Sequence, residues 1–157
     1  MKDGRFGGMK SKLEDKASVF MDSFYKEKGA ISIIPHPDRK FDDWDKVVKF
    51  PNITYKIEEK ARIGDYNDIL VEVLEDLKTG DLGWIYQTKA DIIIYVVYQK
   101  EGDEKPKRIY KIIVTRIKEY LIDHARELFQ NSNVAPLGYG LTLNIFMPLE
   151  IGKQIYP

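Results

Sequence analysis

Cysteine is absent from the 157 residues, which excludes disulfides and thiolate metal sites and fits a reducing, intracellular compartment. Histidine is scarce. His36 and His124 are the only two, so no paired-histidine zinc centre is available. His36 sits in a Pro35-His36-Pro37 turn and His124 on the apolar stripe of a helix, where structural roles are expected. No apolar run approaches the ~20 residues that span a bilayer. The longest, Ala90 to Tyr98, carries Asp91 and reads as a buried strand, so no membrane association is expected. The stretch from Met1 to Met9 lacks the apolar core of a secretion signal. An excess of either charge is also missing, because 25 basic and 25 acidic side chains cancel. No global positive field therefore draws the chain to nucleic acid, and polyanion binding would need a local patch. Gly138-Tyr139-Gly140 lacks the lysine and helix context of a phosphate loop.

What is present is an ordinary globular composition, 43% hydrophobic and 32% charged. The length suits one domain with a real core. Residues 1–10 read as a flexible N-terminal tail and 11–157 as a single domain. Ser11 followed by Glu14 is a capping signal, and Leu13, Ala17, Phe20 and Phe24 give the ensuing helix one apolar stripe that ends at Gly29. Ala30 to Ile34 is a short strand or extended stretch, and Asp38 to Asp43 a charged lead-in. Strands are expected at Asp68 to Glu75, Ala90 to Tyr98 and Ile109 to Val114, with the second central because it is apolar on both sides. Leu82 to Lys89 reads as a short helix or irregular segment and Gln99 to Lys107 as a loop. Thr115 to Phe129 is an amphipathic helix along Ile117, Leu121, His124 and Leu128. Asn131 to Thr142 is loop-like, and Leu143 to Met147 an edge strand.

The segments Trp44 to Phe50 and Ile53 to Lys60 alternate with period two around a Pro51-Asn52 turn, as two antiparallel strands would. A two-residue loop places Val48 opposite Tyr55, Lys46 opposite Ile57 and Asp45 opposite Glu58. One face then carries Trp44, Val48, Phe50, Ile53, Tyr55 and Ile57. The other carries Asp45, Glu58 and Lys60, with Lys56 and Thr54 nearby. Parity favours Glu58 over Glu59 as partner of Asp45, but proline fits poorly in the primed turns of two-residue hairpins, and a longer loop would shift the choice. Two carboxylates about 4 Å apart repel by roughly 4 kcal/mol at an effective dielectric near 20, a cost that a divalent cation would reverse. A solvated, charge-paired sheet face is the alternative reading of the same residues.

Four pieces in order resemble the PD-(D/E)XK nuclease superfamily. They are Trp44-Asp45-Lys46, Glu58-Glu59-Lys60, Asp68-Ile69-Leu70-Val71-Glu72 and Gly83-Trp84 through Lys89-Ala90-Asp91. The resemblance covers roughly residues 11–98. It implies an α/β (α+β) fold with a restriction-endonuclease-like αβββαβ core, a mixed central sheet flanked by helices. It also implies magnesium-dependent hydrolysis of phosphodiesters, most naturally in DNA, with manganese as a substitute ion and a homodimer among the assemblies to consider. Asp45 and Glu58 would be metal ligands and Lys60 would position or deprotonate the attacking water. Glu14 matches an acid that some members bring from the first helix. The residue before Asp45 is tryptophan where the superfamily's name has proline.

The residue types suit that chemistry. Magnesium usually takes one or two carboxylates and completes its shell with water and phosphate. A lysine of depressed pKa can accept a proton, which arginine cannot. Gln87 and Lys89 are candidates to face substrate, with a solvent-facing helix end as the alternative. Trp84 and Tyr86 are expected to pack rather than stack on bases, and Glu72 to be a sheet-face charge. Lys56, Arg62, Lys105, Lys107, Arg108, Lys111, Arg116 and Lys118 are candidates for a basic patch. A nuclease-fold module that binds nucleic acid or a protein without cleaving is the rival function.

Overall fold

The computed structural model describes residues 4–38, 43–137 and 140–157. Its first helix, α1, spans Gly4–Glu27. It thus begins upstream of Ser11, and the expected tail is helical from Gly4 onward. Ala17, Met21, Phe24 and Tyr25 form its buried stripe. Strands β1 (Ser32–Pro35), β2 (Lys46–Lys49) and β3 (Thr54–Ile63) follow as an antiparallel meander. The β2–β3 register is the one the two-residue turn demands: Lys46 opposite Ile57, Val48 opposite Tyr55, and the Phe50 N–H bonded to the Ile53 carbonyl at 2.8 Å.

The chain then leaves this sheet. β4 (Asp68–Asp76), expected as the third strand of the core, instead starts a second, antiparallel sheet with β5 (Asp81–Leu82), β8 (Asn133–Leu137) and β9 (Gly140–Pro148), in the order β5-β4-β9-β8. Helix α2 (Trp84–Gln87) returns the chain to the first sheet. Gly83 sits so tightly on β4 that a Cβ there would lie 2.2 Å from the Glu72 carbonyl oxygen. β6 (Ile92–Tyr98) inserts parallel to β3, and β7 (Arg108–Ile113) pairs antiparallel to β6. Every residue of β6 is buried, as expected of a central strand. With the terminal strand β10 (Lys153–Tyr156), the main sheet reads β1-β2-β3-β6-β7-β10. Within it the order is helix, three strands, short helix, strand, but the third strand of the count is supplied by β1 and not by Asp68–Asp76.

Three expectations for the C-terminal third need correction. Within the stretch expected to be loop-like, Asn133–Leu137 form β8 and β9 begins at Gly140. Leu143 to Met147 is not an edge, because β9 lies between β4 and β8. Pro136 disguises β8 as loop, yet proline is compatible with an edge strand, which is where β8 lies. The helix expected over Thr115 to Phe129 is broken into α3 (Val114–Asp123) and α4 (Ala125–Gln130) at His124, whose backbone leaves the helical region at φ −122° and ψ 19°. Its ring stacks on Tyr120 at 4.0 Å.

Two apolar clusters sandwich the main sheet. On one face Val48, Ile57, Ile92, Ile94 and Val96 meet α1. On the other Ile93, Tyr95, Val97 and Ile112 meet Ile69, Val71, Ile145 and Met147 of the second sheet, with Trp84, Ile85, Ile117 and Leu121. Trp44, expected beside Val48, packs instead against the second cluster. It precedes the first paired residue of β2, so strand alternation does not govern it. No helix among the described residues is long and apolar enough to cross a membrane.

Candidate functional site around the fork of strands β2 and β3

β3 changes partner midway. Thr54–Ile57 pair with β2, whereas Ile57–Ile63 pair with β6. Beyond Ile57 the β2 side of β3 is therefore released, and Asp45, just before β2 begins, is placed at the fork. The Asp45 N–H donates to the Ile57 carbonyl at 2.8 Å, and its Oδ2 accepts the Glu59 N–H at 2.6 Å. Asp45 is exposed and lines a cleft of about 650 Å³ between α1 and β1–β2.

Glu58 and Lys60 lie on the Trp84 face and bond each other, Lys60 Nζ to Glu58 Oε1 at 2.8 Å. This is not the solvated face that alternation alone allows, since Glu58 is 3% exposed. The Lys60 ammonium also stands 5.5 Å over the Trp84 ring. Glu58 Oε2 is buried with no hydrogen-bond partner among the described residues. The Thr88 hydroxyl is close enough to act on Glu58, but its hydrogen bond goes to the Asp43 carbonyl at 3.3 Å. Burial pushes the Glu58 carboxyl above the usual range, against the opposing pull of Lys60. Burial alone would lower Lys60, but the carboxylates of Glu58, Glu14 and Asp45 outweigh it and raise its pKa. The four residues singled out in the sequence thus form one electrostatic unit. The depressed lysine pKa needed for a base is not what this arrangement produces.

Glu59 points the other way. Tyr25 Oη donates to its Oε1 at 2.9 Å, and Lys46 Nζ lies 3.1 Å from the same oxygen. Lys46, only 4% exposed, also reaches Asp22 Oδ1 at 2.7 Å and Ser18 Oγ at 2.8 Å. Sequence reasoning missed Tyr25, Lys46 and Thr88. The one available signal was a lysine at 46, a position that strand parity assigns to the apolar face.

Gln87 and Lys89 are not brought to this unit. Gln87 bonds back to the Leu82 carbonyl, and Lys89, 72% exposed along its side chain, reaches Asp43 at 3.6 Å. Tyr86 is exposed and Trp84 is buried. Asp43 also meets His36, whose Nε2 lies 3.1 Å away and whose Nδ1 accepts the Asp38 N–H. Much of the basic set is engaged locally: Arg62 with Asp68 at 2.6 Å, Lys107 and Arg108 with Asp65, and Lys111 with the Tyr55 hydroxyl.

Divalent metal chemistry can be weighed on the donors present. Among the described residues no group of three or more histidine, aspartate and glutamate side chains is arranged to hold an ion. Magnesium can use as few as one or two carboxylates; Asp45 and Glu58 interact electrostatically, although the cleft that Asp45 lines carries Glu14 and Glu59 and not Glu58. No family model, no curated protein and no solved structure matches this chain.

Proposed function

We propose that the protein is a metal-dependent phosphodiesterase acting on nucleic acid, DNA being the favoured substrate and an intracellular setting the expected one. The observation that carries this reading is the Glu58 carboxylate, held at the strand fork by Lys60 with its second oxygen buried and unpartnered. Leaving such a group unsatisfied costs about 1–3 kcal/mol, more if charged, and a bound cation would relieve it. Asp45 and Glu58 are the residues to hold magnesium or manganese, which when bound would acidify a water and offset charge on the phosphate.

The chain's own groups have separable tasks. Lys60, protonated between its carboxylates, orients the water and faces the negative charge that builds on the phosphoryl oxygens. Hydrolysis forms a bond from the water oxygen to phosphorus and breaks the ester P–O bond. The water proton passes to solvent, and the departing oxygen takes a proton back. Glu14 completes the field that keeps Lys60 charged.

A second reading, a non-cleaving module of the same architecture, is favoured by the lining of the cleft. Glu14, Asp15, Asp22, Asp45 and Glu59 outnumber Lys26 and Lys46 there, a field that repels a polyanion. Manganese melts and plasmid nicking separate the two readings. The nuclease reading expects stabilisation approaching ~2.7 kcal/mol at a hundredfold excess over the dissociation constant. Asp45→Asn should lose it together with magnesium-dependent nicking. Absence of any metal-dependent shift in the wild-type protein would overturn the nuclease reading.

A further inference from the structure

The structure assigns the buried Tyr25–Glu59–Lys46 cluster the role of aiming Asp45, a positioning role that rests on the metal-site reading above. Asp45 is held in two ways beyond its own covalent chain. One is through its backbone, whose N–H donates to the Ile57 carbonyl and whose carbonyl accepts the His36 N–H, both at 2.8 Å, and the other is the 2.6 Å bond from the Glu59 N–H to its Oδ2. The second fixes the carboxylate and leaves the rest of the group to the cleft. It depends on where the Glu59 backbone stands, and that stretch of β3 has already lost β2 as a partner.

The opposite edge of β3 is held there by β6, with Glu59 opposite Ile94, and the α1 face adds a restraint through the Glu59 side chain. Glu59 Oε1 is gripped by Tyr25 Oη at 2.9 Å and by Lys46 Nζ at 3.1 Å. Lys46 is in turn anchored to α1 through Asp22 and Ser18. Tyr25, Lys46 and Glu59 are all buried. Lys46 is also the chain neighbour of Asp45, so one ammonium pins both strands of the fork to one helix. None of the three side chains need touch metal or substrate. Partners that orient a ligand in this way typically change metal affinity about 10–100-fold when removed.

The test is manganese affinity, read from the electron paramagnetic resonance signal of free Mn²⁺, alongside metal-free melting. Removing the polar groups together in Tyr25→Phe/Lys46→Met/Glu59→Met avoids stranding one charge, because apolar replacement of a whole buried pair can be nearly neutral. This variant should remain folded yet bind Mn²⁺ about 10–100-fold more weakly. Tyr25→Phe alone should weaken binding less, in the same direction. Glu59→Gln, which still accepts from Tyr25, should stay near wild type. A cluster that only stabilises the fold would lower the metal-free melting temperature without moving affinity. Wild-type affinity in a folded triple variant would overturn the positioning role while leaving the metal site standing. If the triple variant does not fold, unchanged affinity in Tyr25→Phe overturns it. If wild type binds no Mn²⁺, the metal-site reading fails and this role goes with it.

Discussion

The two faces of β3 carry the same chemical pair, a buried glutamate beside a buried or half-buried lysine, and treat it in opposite ways. On the α1 face Glu59 and Lys46 are joined by Tyr25, Asp22 and Ser18. On the Trp84 face Glu58 has Lys60 on one oxygen and no hydrogen bond on the other. Burial raises both carboxyls above their ordinary values, so desolvation does not distinguish them. Satisfaction does. A fully partnered buried ion pair specifies packing, whereas an incomplete one keeps a cost that a ligand can remove.

The sharpest way to break this comparison is to remove each lysine. Lys46→Ala leaves the buried Glu59 without its cation and with the Tyr25 hydroxyl still on it, and should cost about 3–5 kcal/mol in urea unfolding. Lys60→Ala should cost less, because Lys60 is 19% exposed along its side chain, against 5% for Lys46. Water can reach the vacated position more readily there. Equal losses would mean that the two pairs do the same structural job.

A smaller effect is expected from neutralising each acid in turn. Glu58→Gln should remove metal-dependent stabilisation, and with it up to ~2.7 kcal/mol at a hundredfold excess of manganese over its dissociation constant. Glu59→Gln should retain most of it. Melts with and without manganese decide between them, and the reverse pattern would move the metal ligand to the α1 face.

Local alternation made half of this site legible in the sequence. The Pro51-Asn52 turn and the period-two segments around it gave the register that opposes Lys46 to Ile57, and so the parity that separates Glu58 from Glu59. Non-local facts were not legible. Nothing near Asp68–Asp76 reveals that its partner is β9, some seventy residues on, rather than its neighbour β3. Trp84, beneath the Lys60 ammonium, and Thr88, which acts on Glu58, are delivered by that excursion. Hydrophobic pattern alone left the Asp45–Glu58–Lys60 face open to solvent. Lys46 was hidden for the converse reason, a charged residue at a core-facing position whose partners come from a helix far away in sequence.

The smallest expected effect concerns pH, and it sharpens the comparison without assaying cleavage. A carboxyl raised by burial binds its proton more tightly folded than unfolded. Its contribution to stability is full below the unfolded glutamate value of ~4.3 and is lost as pH rises through the folded value. Wild type should therefore lose stability relative to Glu58→Gln as pH climbs above the unfolded glutamate value, with a slope no steeper than ~1.4 kcal/mol per pH unit for one proton. Relative to Glu59→Gln the sign should be the same, since Glu59 is also raised. Saturating manganese should then separate them. A cation at Glu58 favours its charged form and flattens the first difference, while the second, on the α1 face, keeps its slope. Urea titrations of the three proteins across this range test it. If manganese flattens both differences, or neither, the division of labour between the two faces of β3 does not hold.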